Sequence, residues 1–202
     1  MASIYDLKPK FQYLLRPLVN WLARVGITAN QVTVSATLLS VVGGSIVTVY
    51  HQHRWPLLLI PLILFVRMAL NAIDGMLARE HDMQTPLGAI LNELGDVVSD
   101  ISLYLPLSLV AGVSGGWIVA IVLLAVVSEM TGVLATHIGA QRRYDGPMGK
   151  SDRAFVFGGI GLLLGMGLPA DVWLDMLLAA VTLFLIVTVI NRARRALQEV
   201  RS

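Results

Sequence analysis

Cysteine is absent from the 202 residues, so neither a disulfide framework nor thiolate chemistry can contribute, and the redox compartment stays open. Charge is scarce too. Only 14% of residues are Asp, Glu, Lys or Arg, against about 25% in an ordinary soluble domain. The net charge of +2 is too small to point to nucleic acid. A signal-peptide pattern is also missing, because Lys8 and Lys10 are followed by a mixed segment with Arg16, Pro17 and Arg24 rather than by a clean apolar core. What the chain has instead is apolar surface: 56% hydrophobic residues and a mean hydropathy of +0.74 describe a polytopic membrane protein.

Apolar runs near 32–50, 55–78, 86–111, 116–139, 153–168 and 172–191 predict an all-α bundle of six transmembrane helices in a single domain, 1–202. The breaks between them hold Gly, Pro and polar residues. Six crossings put both ends on one side. Thirteen of the fifteen basic residues lie in the tails and the second and fourth loops, Arg54 alone lies opposite, and Arg67 is inside a span. The positive-inside rule then places both termini in the cytoplasm, with residues 192–202 as a basic cytoplasmic tail. Residues 1–26 alternate apolar positions (Ile4, Leu7, Phe11, Leu14, Leu18, Trp21) with bases at helical spacing. They read as an amphipathic helix on the cytoplasmic interface, or else packed on the spans.

Within this apolar chain, N-A-I-D-G-M-L-A-R begins at Asn71, and G-A-I-L-N-E-L-G-D-V-V-S-D follows from Gly88 to Asp100. Intramembrane charges are costly and mark sites by default. Asn71, Asp74 and Ala78 share one helix face, as do Gly88, Asn92, Asp96 and Asp100. Two antiparallel helices joined by a short loop bring those faces together, with Gly75 and Gly88 leaving room for a close approach. At ~1.5 Å rise per residue, Asp74 lies a turn or two inside the cytoplasmic leaflet. Oxygen ligands in such a cavity suit a hard divalent cation, Mg²⁺ or Mn²⁺, with a phosphate-bearing substrate, and hence phosphoryl transfer. The plainer alternative is that these groups only bond helices to one another.

The pattern D-x-x-D-G-x-x-A-R, eight residues, G-x-x-x-D-x-x-x-D defines the CDP-alcohol phosphotransferase family, which this chain resembles over its whole length with both spacings kept. The Gly26–Thr33 segment is similar to the family's T-P-N-x-x-T. The resemblance implies a CDP-activated lipid donor such as CDP-diacylglycerol, an alcohol acceptor, release of CMP and a homodimer. Carried over by position, it makes Asp74 a metal ligand beside Asn71, Asn92 and Asp96, and Asp96 the general base. Asn30, Thr33, Asp74, Gly75, Ala78, Arg79 and Gly88 would hold the CDP moiety. Asn71 and Asn92 replace two of the family's aspartates, so the site is two negative charges poorer, and Glu93 and Asp100 are the nearby carboxylates that could compensate. A catalytically degenerate relative that binds CDP-lipid is therefore the alternative reading.

The fourth loop and the start of the fifth span bring Arg142, Arg143, Lys150 and Arg153 to the cytoplasmic mouth. Positive-inside anchoring explains such bases, but Arg142, Lys150 and Arg153, with Asp100, also suggest acceptor binding, favouring a phosphorylated polyol. Arg67 and Glu129, the remaining intramembrane charges, are expected to pair with each other. His51, His53, His81 and His137 have no metal-ligand spacing. A carrier is disfavoured, because the outer halves of the second and third spans hold only Ser102, Tyr104 and Ser108 as polar side chains and close the cavity outside.

Overall fold

The computed structural model describes residues 4–201, with side chains from Phe11 onward. The side chains of Lys8 and Lys10, and residues 1–3 and 202 of the predicted domain, lie outside them. Among the described residues the regular structure is helical throughout: α1 (Ile4–Arg24), α2 (Ala29–Val49), α3 (Leu59–Glu80), α4 (Pro86–Tyr104), α5 (Gly115–His137), α6 (Lys150–Gly165) and α7 (Val172–Arg201).

Local chemistry sets the helix ends. Gly26 takes the left-handed conformation that closes α1, at φ +80°. Thr28 then caps α2 reciprocally with Gln31. The Thr85 hydroxyl accepts from the Gly88 N–H at 2.9 Å ahead of Pro86, which opens α4. The predicted span 86–111 divides, because α4 ends at Tyr104 and Leu105–Leu109, with Pro106, forms a 3-10 turn. α7 runs past the predicted span end at 191 as far as Arg201, so the basic residues that follow 191 are helical, through Ala, Arg, Leu, Gln and Glu, all good helix formers.

Among the described residues, four helical segments are long and apolar enough to cross a membrane: Ala29–Val49, Trp55–Glu80, Gly115–His137 and Val172–Arg201. The other two bundle helices fall short of that measure because of their charges and length. α4 carries Glu93, Asp96 and Asp100, and α6 has 16 residues and begins Lys150-Ser-Asp-Arg153.

Packing places α2 between its successors, against both α3 and α4, while α3 also meets α6 and α5 meets α7. This corrects the expectation that α3 and α4 pack face to face. Glycine explains it: a Cβ on Gly44 would run into the Ser102 carbonyl, so the α2 and α4 backbones approach closely and leave α3 to reach α4 through long side chains. Gly161 plays the same part on α6, where a Cβ would stand 2.9 Å from the Leu57 carbonyl. The core joins Ile60 and Leu64, Leu103 and Tyr104, Ile121, Phe157 and Leu178, with the Tyr104 and Phe157 rings stacked at 4.0 Å. Leu62, Phe65, Leu123 and Met176 point outward, exposed by more than half.

The connections sort to two ends. Gly112 lies beside Ala170 and Gly167 beside Arg54 at one. At the other, Asn30 meets Thr85 and Arg143 meets Glu199, so both terminal helices and every motif residue share that end. Here α1 packs Leu15, Val19 and Leu22 on Ile73, Met76 and Leu77 of α3, and Arg16 pairs with Glu80 at 2.9 Å. Its opposite face shows Tyr13, Leu14, Leu18 and Trp21. Of the two placements the sequence left open, contact with the spans is what one face of α1 makes.

Candidate active site

Asp74 sits near the end of α3, only 6% exposed. The Thr33 hydroxyl of α2 donates to its Oδ2 at 2.7 Å, and no basic side chain pairs with it among the described residues. A buried carboxylate bonded to a hydroxyl but not to a cation is costly in a membrane-spanning bundle. At the next residue, Gly75, the space a Cβ would take is occupied by the guanidinium of Arg79 one turn further on, 2.8 Å from where that Cβ would lie. Arg79 is exposed and has no acidic partner among the described residues.

On the α4 side, Asn30 of α2 donates to the Thr85 hydroxyl at 3.2 Å, and a Cβ on Gly88 would stand 2.5 Å from the Asn30 side-chain oxygen. The segment around Thr28–Thr33 therefore touches both motif helices, through Asn30 on α4 and Thr33 on α3. Asn71 and Ala78 are half-buried on α3, and Asn92 is exposed on α4.

Deeper in the bundle the charges form one connected chain. Lys150 pairs with Asp96 Oδ1, which also meets Arg67 at 3.3 Å. Arg67 reaches Asp100 Oδ1 at 2.6 Å, and Arg153 takes Asp100 Oδ2 at 2.9 Å. Arg153 continues to Glu129 at 2.9 Å, and Glu129 also meets Arg142 at 2.9 Å and Arg192 at 3.2 Å. Arg142 completes the chain on Glu93 through two parallel bonds, one of 2.6 Å. Burial works against the charge on Arg142, but its bonds to Glu93 and Glu129 outweigh this and raise its pKa above the ordinary guanidinium value.

These contacts correct the expected Arg67–Glu129 pair, since each finds other partners and the two are joined only through Asp100 and Arg153. They also commit Glu93 and Asp100 to arginines, so neither stands free to replace the carboxylates that Asn71 and Asn92 lack. Asp100, Arg142, Lys150 and Arg153, the expected acceptor-side residues, do come together, but each is already in an ion pair. Two members went unrecognised in the sequence, Arg67 as a partner of Asp96 and Arg192 as a partner of Glu129. For Arg67 a signal was present: Arg67, Asn71 and Asp74 fall at i, i+4 and i+7, on one face.

No group of three or more His, Asp or Glu among the described residues stands ready to hold a metal. What the motif offers is two carboxylates, Asp74 and Asp96, and two amide oxygens, Asn71 and Asn92. Mg²⁺ normally takes one or two carboxylates together with substrate phosphates. Hard oxygen donors and a buried carboxylate at Asp74 that is in no ion pair among the described residues fit such an ion.

A family model described as CDP-alcohol phosphatidyltransferase matches residues 26–190. The chain is 44% identical over 195 residues to inner membrane protein YnbA of Escherichia coli K12, covering 96% of each. It is 30% identical over 103 residues to archaetidylinositol phosphate synthase of Pyrococcus horikoshii, covering 51% of this chain and 52% of that one. Its fold is that of Mycobacterium tuberculosis phosphatidylinositol phosphate synthase PgsA1 crystallised with CDP-DAG: TM-score 0.75, 21% identity, 92% of each chain. The same enzyme with manganese and citrate gives a TM-score of 0.75 at 20% identity, over 89% of this chain and 87% of that one. Motif, architecture and family match agree: the chain belongs to the CDP-alcohol phosphatidyltransferase family.

Proposed function

We propose that this protein transfers a phosphatidyl or related group from a CDP-activated lipid, such as CDP-diacylglycerol, to an alcohol, with release of CMP. The observation that carries the reading is the buried Asp74 carboxylate, bonded to Thr33 and in no ion pair among the described residues, within a motif whose spacing is kept in full. The solved relatives hold CDP-DAG in one crystal and manganese in another, which supports a CDP-lipid donor and a divalent ion.

In this reading Asp74 and Asp96, with the amide oxygens of Asn71 and Asn92, hold Mg²⁺ or Mn²⁺. When bound, the ion supplies positive charge to the diphosphate oxygens. Arg79, folded over Gly75 and without an acidic partner among the described residues, adds charge for the departing CMP phosphate. Asn30, Thr33, Ala78 and Gly88 shape the nucleotide side. The alcohol oxygen bonds to the lipid-side phosphorus, the bond from that phosphorus to the bridging oxygen breaks, and CMP leaves. Asp96 takes the hydroxyl proton, with Lys150 and Arg67 fixing its carboxylate.

All six bundle helices cross an inner membrane in this reading, with both termini and the site in the cytoplasm, as the basic residues favour. α4 and α6 cross too, because their charges are paired inside the bundle and not turned to lipid. The exposed face of α1 lies along the interface, and a homodimer is the assembly.

The test is CMP release by the purified protein from CDP-diacylglycerol with Mg²⁺ or Mn²⁺ and a panel of alcohols, beside Asp96→Asn. No release above that variant with any metal or alcohol overturns the reading. Asn71 and Asn92 favour a second one, a degenerate member that binds CDP-lipid without turning it over. Saturable CDP-diacylglycerol binding with no CMP from any acceptor is its signature.

A further inference from the structure

We propose that the acceptor is an uncharged alcohol, and that Glu93, Asp100 and Glu129 set this preference by holding the neighbouring basic residues in internal ion pairs. The inference rests on the transferase reading above and names its acceptor class.

A phosphorylated acceptor needs a cation free to bind it, and among the described residues four stand on this side: Arg142, Lys150, Arg153 and Arg143, the last held by Asp145 at 3.0 Å and Glu199 at 2.6 Å. Arg153 is 1% exposed, and its fork is filled by Asp100 at 3.0 and 2.9 Å, Glu129 at 2.9 Å and the Met148 carbonyl at 3.4 Å. Arg142 is bound along one edge by Glu93 and shares Nη2 with Glu129, while its Nη1 bonds the Arg143 carbonyl at 2.9 Å. Lys150 pairs with Asp96, the proposed base. The arginine loop is fixed as well: the Arg143 N–H bonds the Gly132 carbonyl at 3.2 Å, and the Met148 N–H bonds the Thr188 hydroxyl at 3.0 Å.

Charge balance gives the same answer. Five bases (Arg67, Arg142, Lys150, Arg153, Arg192) face four carboxylates (Glu93, Asp96, Asp100, Glu129), a net +1 shared over the whole network. A phosphate monoester brings about −1.5 to −2. To bind a guanidinium here it must displace a carboxylate and leave that carboxylate buried and unpaired, which is strongly unfavourable. A hydroxyl requires no exchange, because it donates to Asp96 and accepts from Lys150. Glu93 and Asp96 are also the partly accessible carboxylates, 28% and 18% exposed, and both accept from hydroxyl groups. Arg79 has no acidic partner among the described residues, but it lies over Gly75 on the nucleotide side.

The experiment uses the reconstituted protein with CDP-diacylglycerol, Mg²⁺ or Mn²⁺, and acceptors that differ only by a phosphate: glycerol against glycerol 3-phosphate, and myo-inositol against its monophosphate. The expected result is CMP release with the uncharged member of a pair at a kcat/KM at least tenfold above the phosphorylated one. Glu93→Gln, which frees the edge of Arg142 that Glu93 holds while Glu129 and the Arg143 carbonyl keep the rest in place, should narrow that ratio at least fivefold through KM for the phosphorylated acceptor, and Glu93→Asp should restore it. Preference of the unaltered protein for a phosphorylated acceptor overturns the inference and leaves the transferase reading standing. A folded Glu93→Gln variant with the original ratio removes Glu93 from the device. No CMP from either member of any pair overturns both readings together.

Discussion

One guanidinium on α3, that of Arg67, holds two carboxylates a helical turn apart on α4: Asp100 at 2.6 Å and Asp96 at 3.3 Å. It also bonds the Asp96 backbone carbonyl at 3.2 Å, so it fixes the turn that presents Asp96 as well as its side chain. α3 and α4 do not pack on each other directly, and this fork substitutes for the missing contact.

Removing the fork takes one of two counter-charges from each of Asp96 and Asp100, which keep Lys150 and Arg153. Arg67→Met should therefore cost ~1–3 kcal/mol, read as a lowered thermal midpoint in detergent. Arg67→Lys keeps the charge but not the fork and should recover only part of the loss. Because Glu129 is not the partner of Arg67, Arg67→Glu combined with Glu129→Arg should do no better than the worse single change. Recovery in the double variant would reinstate that pair.

The two asparagines predict a weak metal site that can be strengthened. Asn71→Asp with Asn92→Asp should tighten Mn²⁺ binding tenfold or more, ~1.4 kcal/mol, by titration calorimetry. Asp74→Asn should abolish binding. An affinity that the paired Asn→Asp change leaves where it was would mean that the amides are not at the ion.

Thr33 can be tested with a single atom. Thr33→Val keeps the shape but leaves the buried Asp74 oxygen without its donor, at a cost of ~1–3 kcal/mol in stability. Thr33→Ser keeps the hydroxyl and should stay near the unaltered protein in both thermal midpoint and CMP release. Equal losses in the two variants would assign the effect to packing.

At Gly88 the added atom meets Asn30 at 2.5 Å and the Thr85 hydroxyl at 3.0 Å. Gly88→Ala should therefore push Asn30 aside and raise KM for the CDP-lipid severalfold, with a smaller effect on kcat. A change confined to kcat, with KM intact, would remove Asn30 and Gly88 from the nucleotide pocket.

The sequence revealed the polar faces, the helix ends near Thr28 and Thr85, and the gathering of bases at one end of the bundle, because all of these follow from local spacing and capping. It did not reveal which helix lies opposite which face. Asp96 and Asp100 could be placed on one side of α4, but the partner across the gap depends on the close α2–α4 approach at Gly44 and on the rotation of α3. Neither leaves a periodic signal. Arg67 and Glu129 were paired for the same reason: both are charged and inside the membrane, and nothing local shows that Asp100 and Arg153 stand between them. The length of α7 was hidden too, since hydropathy stops at Asn191 while helix propensity does not.

Glu129 carries a consequence for how this protein is made. It is the only acidic residue of α5, and its partners Arg142, Arg153 and Arg192 all follow it in the chain, the last on the final helix. While it is being synthesised, α5 must enter the membrane with a carboxylate whose counter-charges do not yet exist. Its first counter-charge comes with Arg142 in the loop after α5 and its second with Arg153 on α6, which already balances the network four against four; Arg192 on α7 then adds a third partner and the surplus positive charge.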